Sequence, residues 1–546
     1  ASTTAHAGNA TFADDAKAIF GAGSDLQIYH DGSHSYIEDA GTGNLRIDAQ
    51  SFQVRKQGTT ENIAGFAADG AVTLYYDNSS KFATTSTGID VTGTVNGVGI
   101  LADTTNFVDS ILISQDAGTG TLSSASNNTG FGNEVFNALT SGTANTAVGN
   151  LAGTAITTGR RNVAIGAESL EANTTGENNT AVGQEALEAN TTASSNTAVG
   201  RQALTTNSTG AENTAIGSAS LDANTTGAGN TAVGLGSLSA NTTANFNTAV
   251  GYQSLFENTT GTPNTAVGFQ ALQSLVGDGS TDNQETYNTA VGYAAGTAIN
   301  SGTKNTILGA LAGDAITTGG QNVAIGYNAG TAITSASGSV AIGHEALKNE
   351  DLQGYNVAVG FAALKNQNAP ALSYGVAVGY AAAEGNTTGL YNVAVGGSAL
   401  YTNQDGDNNT AVGYQALMTF EADTDGHGGN TAVGAKAMRD ATTGENNTAI
   451  GVLALGDGIL TGDNNIGIGT NAGMLIAGGG ENVIIGVAAG DALTSGSQNV
   501  AIGRGALGSE DTTGKAVAVG YAALNAQNAG ADSYNVAVGY NAGISV

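Results

Sequence analysis

One 17-residue stretch, NTAVGQEALEANTTASS at residues 179–195, decides how this chain folds. Its first five residues recur in related form 24 times between Asn128 and Gly539, and each copy closes on a glycine. Of the 23 intervals between successive closing glycines, 18 are 17 residues, and the others are 24, 19, 21, 18 and 19. A fixed short period is typical of stacked units that cannot bury an apolar face alone. The chain is therefore a repeat array and not a row of globular domains.

We number the positions of the repeat from its asparagine, so that Asn179 is position 1 and Gly183 is position 5. Positions 2 and 4 hold β-branched or aliphatic residues and position 3 is usually Ala, which predicts a short strand with positions 2 and 4 on one face. We expect position 4 to form the core and the small position 3 to face a second interface. Glycine at position 5 permits a sharply bent backbone at a corner of the coil. These corner glycines include Gly149, Gly166, Gly183, Gly200, Gly217, Gly234, Gly251 and Gly268.

The second half of the repeat carries either Leu at position 9, as in Leu187, or Gly there with an aliphatic residue three positions later, as in Gly313 and Ile316. We expect either form to supply one large side chain to a second strand, before an Asn-Thr-Thr turn brings the chain back. Two strands and two corners predict an all-β protein, a β-solenoid or β-roll of about 24 coils, about 115 Å long at ~4.8 Å per coil. The regular Asn at position 1 predicts an internal ladder of hydrogen-bonded asparagines.

The chain has three predicted segments. Residues 1–100 form an N-terminal β module, in which pairs such as Leu26/Ile28, Leu45/Ile47 and Val72/Leu74 alternate between turns. Residues 101–127 are a linker, and residues 128–546 are the repeat array. Within the array, the spacing of 309–379 returns at 469–539. This second repeat indicates growth by segment duplication, which adds length without adding a site.

Composition excludes several classes of function. The 546 residues include 83 Gly, 2 Pro and no Cys, and the formal net charge is −30. Such a chain has no basic surface for nucleic acid or anionic lipid, and it has neither a thiolate metal site nor an apolar run long enough to span a membrane. Its five histidines are scattered outside any catalytic or metal-binding spacing. We therefore expect no enzyme, no cofactor, no metal site, no nucleic acid and no membrane insertion.

Two features are candidate contacts for a receptor or glycan. The first is position 6, which is exposed and often aromatic. Its aromatic residues are Tyr252, Phe269, Tyr293, Tyr327, Phe361, Tyr380, Tyr414, Tyr521 and Tyr540. Such a row either stacks on sugars or stabilises neighbouring coils. The second is a pair of insertions, one with Asp278, Asp282 and Glu285, the other with Glu421, Asp423, Asp425 and His427. These are surface loops, or else a receptor or metal site; Asp423 and Asp425 have only a fragment of calcium-loop spacing.

The phrases Asn-Thr-Ala-Val-Gly and Asn-Val-Ala-Ile-Gly resemble the head repeats of trimeric autotransporter adhesins, which are β-rolls wound as homotrimers. Residues 20–32, FGAGSDLQIYHDG, are similar to modules of tail-fibre proteins from marine tailed bacteriophages. The resemblance implies a homotrimer with position 3 near the three-fold axis, and a C-terminal self-cleaving chaperone removed after Val546. It implies a tail fibre on the virion, bound to virion or baseplate proteins through the N-terminal module and to a host surface glycan or protein.

The leading hypothesis is thus a structural phage tail fibre that spans from virion to host surface and contributes to host recognition. The alternative is a bacterial or extracellular trimeric adhesin, or a self-assembling surface filament. An ice-binding solenoid and a polysaccharide-cleaving spike are weaker alternatives. Ice binding is disfavoured because position 2 changes from Thr to Val or Ile along the array.

Overall fold

The computed structural model describes residues 8–86, 88–92, 94–95, 98–104, 106–114, 119–277, 284–422 and 426–545. The described residues form strands and turns, without a helix. The chain divides into two compact units, Ala1–Gly97 and Val98–Val546.

The N-terminal unit consists of two antiparallel sheets. The first contains β1 (Ala18–Phe20), β2 (Leu26–His30) and β3 (Ser35–Asp39). The second contains β4 (Ser51–Arg55), β5 (Asn62–Ala67), β6 (Val72–Tyr76), β7 (Ser79–Thr84) and β8 (Ile89–Val91). Leu26/Ile28 and Val72/Leu74 lie in strands, as predicted, whereas Leu45 and Ile47 lie outside any strand.

The segment expected to be a linker contains strands. After β9 (Thr94–Val95), β10 (Val98–Thr104) and β11 (Phe107–Ser114) form an antiparallel hairpin, and β12 (Ala125–Ser126) follows. β11 also pairs in parallel with Thr129–Phe131, the first strand of the array. Phe107 and Leu112 are fully buried there. The hairpin therefore covers the edge of the first coil, which would otherwise leave backbone groups unpaired.

The array is a parallel β-solenoid, as the period predicted. Each coil contributes one three-residue strand, and each strand pairs in register with the strand of the next coil. We number the coils 1 to 24 by these strands. The coil strands are Thr129–Phe131, Thr146–Val148, Val163–Ile165, Thr180–Val182, Thr197–Val199, Thr214–Ile216, Thr231–Val233, Thr248–Val250, Thr265–Val267, Thr289–Val291, Thr306–Leu308, Val323–Ile325, Val340–Ile342, Val357–Val359, Val376–Val378, Val393–Val395, Thr410–Val412, Thr431–Val433, Thr448–Ile450, Ile466–Ile468, Val483–Ile485, Val500–Ile502, Val517–Val519 and Val536–Val538.

The longer intervals leave this pairing intact. Thr265–Val267 pairs directly with Thr289–Val291 across the 24-residue interval, and Thr410–Val412 pairs with Thr431–Val433 across the 21-residue interval. Beside the first of these, Gly261–Thr262 and Gln284–Glu285 form a short parallel pair. The extra residues are therefore accommodated outside the strand ladder.

The faces of the coil strand are the reverse of the expectation. In coil 4, Ala181 at position 3 is fully buried, whereas Thr180 and Val182 at positions 2 and 4 are only partly buried. The assignment of position 4 to the core and of position 3 to a three-fold interface was wrong. Position 3 is small because its side chain points into a narrow coil, where the neighbouring Leu187 at position 9 already fills the space.

The second half of the coil is a turn and not a second strand. Leu187 is fully buried, as expected of the core, but it lies in the left-handed region at φ 51°, and Glu185 does so at φ 59°. Left-handed residues at both positions reverse the chain within a few residues, and a strand cannot contain them. The expected second strand was therefore wrong, although the large aliphatic residue does reach the core.

Asparagine ladders run inside the solenoid, as predicted for position 1. The side-chain Oδ1 of Asn196 accepts the backbone N–H of Asn213 at 2.9 Å, and the Nδ2 of Asn213 donates to the carbonyl of Gly227 at 2.8 Å. A second ladder occupies position 12, where the Nδ2 of Asn207 donates to the Oδ1 of Asn190 at 3.0 Å. These bonds satisfy polar groups that the fold removes from water.

The second ladder occurs in runs. Its first run extends over the six coils from Asn173 to Asn258, and Leu275 occupies the next coil. The Oδ1 of Asn258 consequently has no hydrogen-bond partner. A later run contains Gln367, Asn386 and Asn403, and is followed by Phe420.

The corner glycines are required by the stacking of coils. Gly200 has φ +139°, and a Cβ built on it would lie 2.4 Å from the carbonyl oxygen of Gly217 in the next coil. Its own N–H donates to the carbonyl of Val182 in the preceding coil at 2.8 Å. The corner therefore needs glycine both for its backbone angle and for the contact between coils.

Candidate interaction surfaces

The most continuous surface of the solenoid is the outward side of the coil strands, which we call the strand face and define by positions 2 and 4. The side chains at these positions stay half-exposed, and Ile165 and Ile216 are each 40 % exposed. Equivalent positions lie directly above one another because successive strands pair without a shift, as in Ile165 with Val182. The result is a strip of Thr, Val and Ile side chains, with Phe131 and Leu308 in two coils, that contains no charged residue along its 24 coil strands.

The N-terminal unit also exposes apolar side chains. Within its described residues, Ala64 is the one buried apolar residue. Large apolar side chains such as Phe20, Ile37 and Phe66 are 54, 61 and 40 % exposed. A unit of eight strands normally buries one face of each sheet. The two sheets therefore lack the packing partner that their sequence pattern requires, a property that the alternation alone did not reveal.

Position 6 carries the aromatic row that the sequence indicated, and its rings stack from coil to coil. The ring of Phe269 stacks on Tyr252 and on Tyr293 with centroids 5.1 and 5.2 Å apart. A second run contains Tyr327, His344, Phe361 and Tyr380. The imidazole of His344 lies between the rings of Tyr327 and Phe361, and the sequence pattern, which considered only Phe and Tyr, did not include it. A third pairs Tyr521 with Tyr540 at 4.9 Å, and Tyr414 is 57 % exposed.

These stacks account for eight of the nine aromatic residues at position 6 without a ligand, and Tyr414, between Gly397 and Ala435, is the exception. Rings at ~5 Å cover each other's faces, which stabilises neighbouring coils. Their edges and hydroxyl groups remain accessible, whereas a sugar could stack on a ring face only at the end of a run. The receptor contact stays a prediction. The residue before position 1 supplies another stack, Tyr355, Tyr374 and Tyr391, with centroids 5.8 and 6.0 Å apart, which sequence reasoning did not identify.

The insertions are only partly described. Asp278, Asp282, Asp423 and Asp425 lie outside the described residues. Glu285 is exposed and raises the pKa of Tyr287 by accepting its hydroxyl hydrogen bond. His427 lies against Glu445, with Nδ1 and Oε1 2.6 Å apart. The pKa of Glu421 is raised by burial and by the nearby Asp405. The described residues of these loops thus form local ion pairs and hydrogen bonds.

Three acidic side chains lie close together in coils 3 and 4. Carboxylate oxygens of Glu168, Glu171 and Glu188 lie within 4.8 Å of one another, the one such group among the residues that the structure describes. Burial raises the pKa of Glu171 first, and repulsion by its acidic neighbours raises it further. Exposed acids often cluster in this way without an ion, and nothing else at this place indicates a ligand.

Two carboxylates are fully buried at position 12, where other coils carry the second Asn ladder. Glu350 accepts the N–H of Gln353 at 3.0 Å and the Nδ2 of Asn356 at 3.0 Å. Burial is the main cause that raises the pKa of Glu350 to about 7. Glu510, its counterpart in the duplicated block, accepts the Nε2 of Gln527 at 3.0 Å. These acids have hydrogen-bond donors around them and are buried inside the coil.

Comparison of the chain with family models, with curated proteins and with solved structures finds no match in any of the three. In the described part of the chain, no helix has the length and apolar character needed to cross a membrane. The class that the structure defines is a parallel β-solenoid with a 17-residue coil, preceded by small antiparallel sheets.

Proposed function

We propose that the chain is the structural subunit of a homotrimeric attachment fibre, most specifically a bacteriophage tail fibre located on the virion. The solenoid forms the rod, the N-terminal module binds other virion or baseplate proteins, and the fibre contributes to adhesion to a host surface. Its role is mechanical and adhesive, without an enzymatic step. The assignment to a phage is supported by the resemblance of residues 20–32 to tail-fibre modules, and the assembly is supported by the exposed surfaces described above.

The strand face is the observation that carries the proposal. It is about 115 Å long over 24 coils at ~4.8 Å each and roughly 7 Å wide over two residues of strand, or about 800 Å². A stable interface typically buries about 800 Å² on each partner. An uncharged, in-register strip of this size is unusual for a monomer. A second and third copy of the same chain present the matching strip, so the three-fold interface lies at positions 2 and 4.

The N-terminal unit supports the same conclusion independently. Its exposed Phe20, Ile37 and Phe66 would be removed from water if equivalent sheets from three chains packed together. Each of these side chains is already about half buried, so completing its burial contributes roughly 1–1.5 kcal/mol. Trimerisation would thus supply the core that the described sheets do not form within one chain.

The test is the mass and shape of the purified chain in solution, by light scattering with negative-stain images. We expect a thin rod with a mass near three times 53.5 kDa. Ile165→Glu together with Ile216→Glu, which places two charges on the strand face, should lower the mass toward that of one chain. The control is Ser218→Glu at position 6, in the same coil as Ile216 but outside the strand face, where Arg201 occupies the equivalent place in the preceding coil. A monomeric wild type, or a trimer indifferent to both strand-face charges, would refute the interface.

A trimeric adhesin of a bacterial or extracellular surface, or a self-assembling surface filament, would use the same strand face. The two assignments differ in the origin of the gene. Neighbouring baseplate and capsid genes would support the tail fibre, and their absence would favour the adhesin. Long continuous filaments in the negative-stain images would support the filament instead of a closed trimer.

A further inference from the structure

A shallow groove crosses coils 14, 15 and 16 at positions 10 to 13, outside the strand face. It holds a volume of about 380 Å³. Its lining residues are Asn366, Glu384, Gly385, Thr387, Tyr401, Thr402 and Gln404. The volume falls in the lower part of the range of about 300–1,000 Å³ found for small-molecule sites.

The floor of the groove is fixed by contacts between coils. The N–H of Gly385 donates to the carbonyl of Tyr401 at 2.8 Å, and the hydroxyl of Thr387 donates to the carbonyl of Gln404 at 2.9 Å. A Cβ on Gly385 would lie 2.6 Å from that Tyr401 carbonyl oxygen, so the glycine lets the two coils approach. The groove is therefore preformed, which lowers the entropy lost on binding.

The walls of the groove carry planar polar side chains beside one aromatic ring. The Oδ1 of Asn366 accepts a hydrogen bond from Asn349 at 3.1 Å, which orients the amide and leaves its N–H groups for another acceptor. Gln404 is held by its hydrogen bond to Glu421. Glu384 presents a carboxylate, and the ring of Tyr401 is 39 % exposed. Tyr401 takes part in none of the aromatic stacks described above, so its ring face is not covered by a neighbouring ring.

We propose that this groove binds a neutral saccharide unit. The ring of Tyr401 packs against the C–H face of the sugar, the carboxylate of Glu384 accepts hydrogen bonds from its hydroxyl groups, and the amides of Asn366 and Gln404 bind further hydroxyls. Lys365, which pairs with Glu345 at 2.8 Å, also lies near Glu384 and Tyr401. The groove therefore has charged groups of both signs beside it, and a neutral saccharide fits it better than an acidic sugar does on a chain whose net charge is −30. The inference rests on the proposed attachment role and names the chemistry that the fibre would recognise.

The duplicated block shows that the fold does not require these groove residues. Leu364 and Gln367 are repeated 160 residues later as Leu524 and Gln527, whereas Asn366 corresponds to Ala526. Glu384 similarly corresponds to Ile544. The buried residues thus persist in both copies and the groove residues do not. Asn366→Ala reproduces a residue that the chain already contains at the equivalent place, and we expect the variant to fold.

The experiment measures binding of maltohexaose, chitohexaose and mannohexaose to the full-length protein by saturation-transfer-difference NMR. We expect at least one of the three to bind at millimolar concentration, and Tyr401→Thr and Asn366→Ala each to weaken it by about tenfold or more. Position 10 already carries Thr in coil 5, so Tyr401→Thr preserves the coil. Tyr355→Asn is the matched control, since it removes an exposed tyrosine outside both the groove and position 6, and it should leave binding unchanged. Asn408 and Asn446 occupy the equivalent place in other coils.

Three results would overturn the proposal: no binding of any of the three hexasaccharides, equal binding by wild type and Tyr401→Thr, or equal loss in Tyr355→Asn. Binding of a lysine-rich peptide in the absence of saccharide binding would also overturn it and would assign the carboxylate groove to a cationic partner. The mass measurement separates this failure from that of the fibre. If the protein is a trimer that binds no sugar, the fibre proposal stands and the saccharide site is refuted. If it is a monomer that binds sugar, the saccharide site stands and the trimeric fibre is refuted.

Discussion

Replacing one corner glycine by alanine should destabilise several coils at once. In Gly200→Ala, the new Cβ would lie 2.4 Å from the carbonyl oxygen of Gly217 and 2.6 Å from its carbonyl carbon. Ordinary carbon–oxygen contacts need about 1 Å more. The added carbon therefore forces coils 5 and 6 apart at this corner.

The magnitude has two parts. A non-glycine residue at φ +139° costs roughly 1–3 kcal/mol. Separating the coils weakens the hydrogen bond from the N–H of Gly217 to the carbonyl of Val199, now 2.8 Å long, and one or two of its neighbours. Each such bond contributes about 1 kcal/mol. We expect a total loss of roughly 3–5 kcal/mol, at the upper end of the range for single substitutions.

The assay is native-state hydrogen exchange followed by mass spectrometry, because a repeat protein opens locally and a single unfolding free energy does not describe it. Exchange should accelerate in peptides from coils 4 to 7 and remain unchanged in distant coils. Gly478→Ala is the control. No atom lies within 4 Å of a Cβ built there, and that glycine is outside the positive-φ set. If Gly200→Ala loses less than about 1 kcal/mol, or no more than Gly478→Ala, the account of the corner is incorrect.

Three further predictions follow from the interior and the strand face. Asn213→Ala removes the side chain that bonds to the carbonyl of Gly227 at 2.8 Å and to the N–H of Asn230 at 2.9 Å. It should lower local stability by about 2–4 kcal/mol in the same exchange assay. A loss below about 1 kcal/mol would show that the ladder is dispensable. The carboxyl of Glu350 has a pKa of about 7 in the folded protein, against a reference value of 4.5, so the folded state favours its protonated form. The free energy of unfolding should therefore be highest below pH ~4.5 and fall by up to about 3 kcal/mol as the pH rises through ~7. Glu350→Gln should remove this pH dependence in coils 13 and 14, and an unchanged profile would refute it. Thermal hysteresis should be absent, because the threonine column at position 2 adjoins Val and Ile at position 4 and gives way to Val at Val323–Ile325; a measurable freezing-point depression would revive ice binding.

The period alone predicted the solenoid, because a 17-residue unit with one aliphatic side chain and one strand has no other way to bury its apolar atoms. The Asn ladder was equally predictable, since a buried amide at every coil needs the next coil as its partner. The orientation of the strand was not. Alternation shows that positions 2 and 4 share a face, but it does not show which face points inward. Because the residues at position 4 are larger and more apolar, the pattern favoured position 4 as the core, whereas the buried position is the alanine at position 3, as in Ala181.

The turn in the second half of the coil could not be predicted from the sequence pattern for a different reason. Leu187 in the left-handed region contradicts the intrinsic preference of leucine, and it is held there by contacts with neighbouring coils. The groove around Tyr401 was also beyond sequence reasoning. Its residues come from three coils, and position 10 carries no motif. By contrast, the stacks at position 6 could be predicted from spacing, apart from His344, whose ring belongs to a residue type that the pattern did not include.

The second asparagine ladder gives the solenoid interior an electrical polarity. Within the first run, the amide N–H of one coil donates toward the preceding coil, so the side-chain dipoles point the same way, with the positive end toward the N-terminus. As at the start of an α-helix, an anion is stabilised at that positive end. Glu510 occupies the equivalent place ahead of Gln527, whose Nε2 donates to it at 3.0 Å. Glu350 lacks such a donor from Gln367, whose Nε2 donates to the carbonyl of Thr387 in the following coil. At the opposite end of the first run, the Oδ1 of Asn258 has no hydrogen-bond partner, and the apolar Leu275 occupies position 12 of the next coil. The negative end of this row of dipoles is therefore not neutralised by a donor at position 12.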